Sequence, residues 1–118
     1  KGFFLMVEGS QIDWASHDND AAQVVKEVLD FDETVGRVLD YAQKHGNTLV
    51  IITADHETGG LTFPTGNIKA GTFDAAFTTK GHTGIPVPVF AFGPGADKFG
   101  GFIENISIKA KIEKLLRL

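Results

Sequence analysis

Leu29 to His56 reads LDFDETVGRVLDYAQKHGNTLVIITADH, and it sets out a helix, a stop, a strand and an acid–imidazole pair in that order. Together with the residues just before it, Val24, Val28, Phe31, Val35, Val38 and Ala42 recur at three- and four-residue steps, the spacing of one helix face. Asp20 suits the N-cap, with Gln23 three residues on in a capping-box arrangement. Gly46 suits the C′ position, where a left-handed backbone ends a helix. The pattern predicts a helix from Ala21 to Lys44, with Gly36 costing about 1 kcal/mol relative to alanine. Thr48 to Thr53 then reads as a buried strand that delivers Asp55 and His56 just past its end.

Working outward, Phe3 to Val7 (FFLMV) is a second continuous apolar run, consistent with a strand covered on both faces. Strand, helix and strand make a βαβ unit, which predicts parallel strands joined by a right-handed crossover. Ile12 to His17 fits a short helical turn. Glu57 to Gly81 is rich in Gly and Thr and lacks periodicity. It reads as a long loop or small excursion, of a length that is often functional. Val87 to Phe92 is a third strand, entered through Pro86, interrupted by Pro88 and closed by Gly93-Pro94-Gly95. Ile106 to Leu116 predicts a terminal helix. No internal repeat or low-complexity tract is present.

The 118 residues suffice for one domain, and the composition (42% hydrophobic, 22% charged) is that of a globular chain. A net charge of -4 offers no basic surplus for nucleic acid or an anionic membrane surface. No apolar run approaches the roughly 20 residues that span a bilayer. There is no cysteine, so a metal would have to be held by His, Asp and Glu. That favours zinc in mixed nitrogen–oxygen sites, or magnesium and manganese among oxygens. The sequence opens with Lys1-Gly2 directly on an apolar run, the pattern expected of a piece of a longer polypeptide.

Four groups carry chemistry: Glu8 after the first strand, Asp13 with His17 at i and i+4, Asp55-His56 after the second strand, and His82 in GHTG. On a helix, Asp13 and His17 project from one face. In open α/β sheets, ligands gather beyond the carboxyl ends of strands. Taken singly, the Asp13–His17 spacing is better explained by chance and Asp55-His56 by a turn with a helix cap, while Glu8 reads as well as a solvated loop residue and His82 as a surface turn. His45, in the last helical turn, suits the helix dipole rather than a site.

The local sequences VEGSQIDWASH (Val7 to His17), TADHETGG (Thr53 to Gly60) and GHTG with VPVFAFGPGA (within Gly81 to Ala96) closely resemble the alkaline phosphatase family. The resemblance also takes in the helix and strand between them, and so nearly the whole chain. It implies a three-layer α/β/α fold with a mixed, mostly parallel sheet, residues 1–118 forming the C-terminal portion of a single domain. It implies that Asp13, His17 and His82 are ligands of a first zinc, Asp55 and His56 of a second, and Glu8 of a neighbouring magnesium. Zinc takes imidazole and carboxylate in a tetrahedral shell. Paired ions roughly 3.5–4 Å apart stabilise the attacking and leaving oxygens of phosphoryl transfer, and magnesium prefers oxygen ligands.

The resemblance further implies hydrolysis of phosphate monoesters, releasing inorganic phosphate through a phosphoserine intermediate. It implies a periplasmic or extracellular enzyme, often a homodimer. The family's serine nucleophile, its metal-bridging carboxylate and its phosphate-holding arginine fall upstream of the matched segment. Ser10, Ser16 and Ser107 lack the nucleophile's context, and Arg37 and Arg117 fall on predicted helices, facing solvent. No catalytic residue is therefore assigned within the chain. Trp14 stands at a position that varies in the family and is a candidate pocket-lining residue.

Rival readings are a phosphodiesterase or phosphoglycerate mutase of the same binuclear-metal superfamily, and a metal-binding module without catalysis. Glu8, within VEG, favours the phosphatases because it completes a magnesium site. One geometric expectation follows from the ligand set. His82 precedes its strand while Glu8 and Asp55 follow theirs, so Val87 to Phe92 should run antiparallel to the first two strands.

Overall fold

The computed structural model describes residues 2–117. They divide into two compact units. The first comprises the residues up to Glu33 together with Glu57–Gly84, and the second comprises Thr34–His56 with the residues from Ile85 onward.

In the first unit, helix α1 spans Ser10–His17, two residues longer at its start than the predicted turn. Strand β2 (Glu57–Thr58) packs against α1 and pairs antiparallel with β5 (His82–Thr83), Glu57 opposite Thr83 and Thr58 opposite His82. Between them, β3 (Thr62–Asn67) and β4 (Thr72–Ala76) form an antiparallel hairpin. The predicted excursion is thus a hairpin. Its strands are almost wholly exposed, so neither face has to be apolar and no period-2 alternation marks it. Its register shifts between Thr62 and Thr65, around Pro64, which has no N–H to give to a ladder.

Helix α2 runs Ala21–His45 and contributes to both units. Its start is as predicted: the backbone N–H of Gln23 donates to Asp20 Oδ1 at 3.0 Å. The side chain of Gln23 reaches Glu27 at 2.5 Å instead of returning to Asp20, so only half of the capping box forms. At the other end Gly46 adopts φ +69 and its N–H donates to the Ala42 carbonyl at 2.9 Å. His45 stacks on Tyr41 with ring centroids 4.0 Å apart, as suits its reading as a helix-end residue. Val24, Phe31, Val35 and Ala42 turn inward as the periodicity requires. Val28 and Val38, on the same stripe, stay 45% and 41% exposed.

In the second unit, β1 (Val50–Thr53) pairs antiparallel with β6 (Val89–Phe92), Val50 opposite Phe92 and Thr53 opposite Val89. The third predicted strand therefore runs against the second, as the ligand order required. Pro86 and Pro88 fall just outside the ladder, where no N–H is needed. The Thr53 hydroxyl donates to the Pro88 carbonyl at 3.1 Å. A 3-10 turn, Ala96–Phe99, packs on β6 with Phe99 buried, and α3 (Ser107–Leu116) follows.

One expectation does not hold among the described residues. Phe3 to Val7 forms no ladder, and its side chains lie open, Met6 being 81% exposed. A strand exists only through hydrogen-bonded neighbours, and none of the described strands takes that place. The parallel βαβ pairing is accordingly absent and the three ladders seen are antiparallel, while the class remains α/β. None of the described helices is long and apolar enough to cross a membrane.

Candidate metal centre

The helix geometry of α1 places Asp13 and His17 one turn apart on one face. His17 Nε2 stands 3.5 Å from Asp13 Oδ2. The third residue arrives from a distant part of the chain. Backbone bonds from Gly59 N–H to the Gly81 carbonyl (3.0 Å) and from Thr78 N–H to the Gly59 carbonyl (2.9 Å) hold β5 beside β2. That seats His82 Nε2 at 3.2 Å from His17 Nε2 and 3.9 Å from Asp13 Oδ1. Two imidazole nitrogens and a carboxylate thus face one point within the first unit, all three side chains partly exposed.

The donor set fits a zinc ion. In a tetrahedral shell with Zn–N of 2.0–2.1 Å, neighbouring donor atoms stand about 3.3 Å apart. The two nitrogens stand 3.2 Å apart, and each faces a different Asp13 oxygen, Oδ2 at 3.5 Å from His17 and Oδ1 at 3.9 Å from His82, spacings of that order. The tautomer of His17 agrees. Its Nδ1 touches the Lys80 carbonyl, which can only accept, so Nδ1 carries the proton and Nε2 presents its lone pair inward.

Two groups that the sequence reading did not single out complete the surroundings. The Thr58 hydroxyl donates to Asp13 Oδ1 at 2.5 Å. Glu57, on the opposite face of β2, accepts from the Gly60 N–H at 2.9 Å and from the Thr83 hydroxyl. Both residues lie in ETGG directly after Asp55-His56. Strand alternation would have sent Glu57 and Thr58 to opposite sides, had that stretch been read as a strand.

The remaining sequence-derived candidates are placed as follows. Asp55 and His56 follow β1 at its carboxyl end, in the second unit, with His56 Nε2 3.4 Å from Asp55 Oδ2. Glu8 lies exposed between the Phe3–Val7 run and α1. Trp14 stands beside Asp13 and is 64% exposed. The serines seen closely are locally engaged: Ser16 donates to the Ile12 carbonyl at 2.7 Å and Ser107 to the Glu104 carbonyl at 2.6 Å. Arg37 is exposed within α2, and Arg117 is exposed just past α3.

Comparison with known proteins converges on one family. The family model described as alkaline phosphatase matches residues 1–75. The chain is 33% identical to alkaline phosphatase 4 of Bacillus subtilis, across 99% of this chain and 40% of that protein. It superposes on the alkaline phosphatase of the Antarctic bacterium TAB5 with a TM-score of 0.89 at 46% identity, across 98% of this chain and 35% of that one. A variant of the TAB5 enzyme with magnesium bound in its M3 site also superposes with a TM-score of 0.89, at 44% identity and covering 98% of this chain and 36% of that one. The chain therefore spans less than half of the lengths of the relatives it matches.

Proposed function

Because the chain belongs to the alkaline phosphatase family, we propose that it supplies metal ligands to an enzyme that hydrolyses phosphate monoesters to inorganic phosphate. Asp13, His17 and His82 hold one zinc, Asp55 and His56 give ligands to a second, and Glu8 serves a magnesium. When bound, these ions supply Lewis acidity toward the oxygens of a phosphoryl group. Residues 1–118 act as the C-terminal portion of one larger domain, exported to the periplasm or the outside of the cell and assembled as a homodimer. The serine that takes the phosphoryl group, the bridging carboxylate and the arginine that grips phosphate are contributed from outside these residues.

The observation that carries this reading is the convergence of His17 Nε2, His82 Nε2 and the Asp13 carboxylate at separations of 3.2 to 3.9 Å. His17 and His82 present neutral nitrogens, with the Lys80 carbonyl holding His17 in the ligating tautomer. Asp13 brings the negative charge that offsets part of the cation's own. Trp14, exposed beside Asp13, lines the approach of the substrate. Glu8 separates this reading from the phosphodiesterase and mutase alternatives, because it provides for magnesium.

The test uses the full-length protein. Elemental analysis is expected to find zinc and magnesium, and a chromogenic phosphate monoester to be cleaved at least tenfold faster than a diester. His82→Ala should lower both zinc content and monoester turnover. Zinc content unchanged by both Asp13→Ala and His82→Ala would overturn the ligand assignment. A diester preference would overturn the substrate class.

A further inference from the structure

Strands β2 and β5 share only two residue pairs, Glu57 opposite Thr83 and Thr58 opposite His82. An isolated two-stranded pair is marginal even at greater length, yet this one seats His82 beside His17. The pair forms the neck of the β3–β4 hairpin, and polar groups tie that neck. The Gly59 carbonyl accepts from the N–H groups of Thr78 and Thr79, and the Gly59 N–H donates to the Gly81 carbonyl. These bonds act on the chain before His82. Glu57 acts on the residue after it. Its side chain is partly buried and accepts from the Gly60 N–H, through Oε1 at 2.9 Å and Oε2 at 3.2 Å. Oε2 also accepts from the Thr83 hydroxyl. Bonds of this kind to a carboxylate are roughly twice as strong as those between neutral groups.

We propose that Glu57 is a positioning residue of the metal centre, its carboxylate clamping Thr83 to the Gly60 turn and so fixing the backbone from which His82 reaches the cation. The proposal rests on the assignment of His82 as a ligand, given above. Thr83 shares a peptide group with His82, and strand alternation sends the two side chains to opposite faces of the ladder. Holding Thr83 on one face therefore directs His82 on the other. The same segment governs His17, because the Lys80 carbonyl that His17 Nδ1 touches lies two residues before His82. A slip of β5 would thus move one ligand and the acceptor that sets the tautomer of another. Glu57 is itself of a type that zinc accepts, and it follows His56 directly. Both of its oxygens are nevertheless engaged by Gly60 and Thr83, so it acts through His82 and not as a ligand.

The experiment breaks the clamp from each end in the full-length protein. Thr83→Val keeps the branched shape and loses the hydroxyl, Thr83→Ser keeps the hydroxyl, and Glu57→Leu removes the acceptor. Zinc affinity is read by competition with a chromophoric chelator, and site geometry by the visible absorption of the cobalt-loaded protein. Thr83→Val and Glu57→Leu are each expected to weaken the tightest zinc by about 10-fold, the low end of what losing an outer-shell partner does, and to change the cobalt bands. Thr83→Ser is expected to bind zinc nearly as wild type does, with unchanged bands. The double variant is expected to be no weaker than Glu57→Leu alone, since residues joined in one contact do not add. Should Glu57→Leu fail to fold, the valine and serine variants of Thr83 decide the matter between them. Wild-type affinity and bands in Thr83→Val would overturn the proposal, as would a serine variant no better than valine. Loss of zinc in Glu57→Leu with none in Thr83→Val would overturn it too, and would make Glu57 a ligand. If His82→Ala weakens zinc while neither clamp variant does, only the role of Glu57 falls. If His82→Ala also has no effect, the ligand assignment falls with it.

Discussion

His82 lies 65 positions beyond His17, yet their Nε2 atoms stand 3.2 Å apart, so the site depends on a few residues that bring β5 back to α1. Gly60 is one of them. It adopts φ +60, and a Cβ added there would stand 2.0 Å from Thr78 Oγ1. Its N–H is also held by Glu57 at 2.9 Å. Gly60→Ala is expected to cost about 1–2 kcal/mol in backbone strain alone and to displace the segment leading to His82. A thermal melt of the full-length protein should show a lower Tm, and chelator competition should show weaker zinc binding. Unchanged zinc affinity would mean that the Glu57–Gly60 turn does not hold the site. At this scale the sequence was informative about ligands and silent about their supports. Asp13, His17 and His82, the proposed ligands, stand out as candidates because only a few side chains can ligate a metal. Thr58 and the Lys80 carbonyl do not, since a hydroxyl or a backbone oxygen takes its role solely from where the fold puts it.

The elements were legible in proportion to how local their causes are. Helix α2 is written in its own residues: the Asp20 cap, the apolar stripe and the Gly46 stop all lie within or beside it, and its observed ends depart from the prediction by one residue. Gly36 is the one residue at odds with the helix, and a Cβ built there meets nothing within 4 Å. Gly36→Ala is therefore expected to stabilise the protein by about 0.5–1 kcal/mol, raising Tm with zinc affinity unchanged. Removing the cap by Asp20→Ala is expected to cost about 1 kcal/mol. If Gly36→Ala lowers Tm instead, that helix face is covered in the whole protein. The strands inside the predicted excursion and the state of the Phe3–Val7 run were not legible, for the opposite reason. An exposed hairpin needs no hydrophobic pattern, while an apolar run becomes a strand only when other strands flank it. Neither condition is written in the segment itself.

On the scale of the whole chain, surface area is the informative quantity. A self-contained protein of 12.7 kDa would expose about 6,200 Å², whereas this chain exposes 8993 Å². The excess, about 2,800 Å², is the size of an obligate interface rather than of a transient contact. Much of it is apolar: Phe3, Phe4, Leu5, Met6 and Val7 are all exposed in sequence order. Such a contiguous patch marks a surface that something else covers. The proposal assigns that cover, and the nucleophile, to the remainder of the same domain; within these residues the Ser16 and Ser107 hydroxyls donate to local carbonyls. The 118 residues prepared alone should therefore associate on size-exclusion chromatography and bind a hydrophobic dye. They should retain at most about one zinc, on Asp13, His17 and His82, since that set places three donors in one compact unit whereas Asp55 and His56 are two. A chromogenic phosphate monoester should be cleaved no faster than by zinc-containing buffer. Adding the missing part of the protein in trans, by co-expression, should restore turnover and abolish dye binding together, because one interface accounts for both. A monomeric, dye-silent chain that turns over substrate unaided would show that the exposed run needs no partner and that the nucleophile lies within these residues.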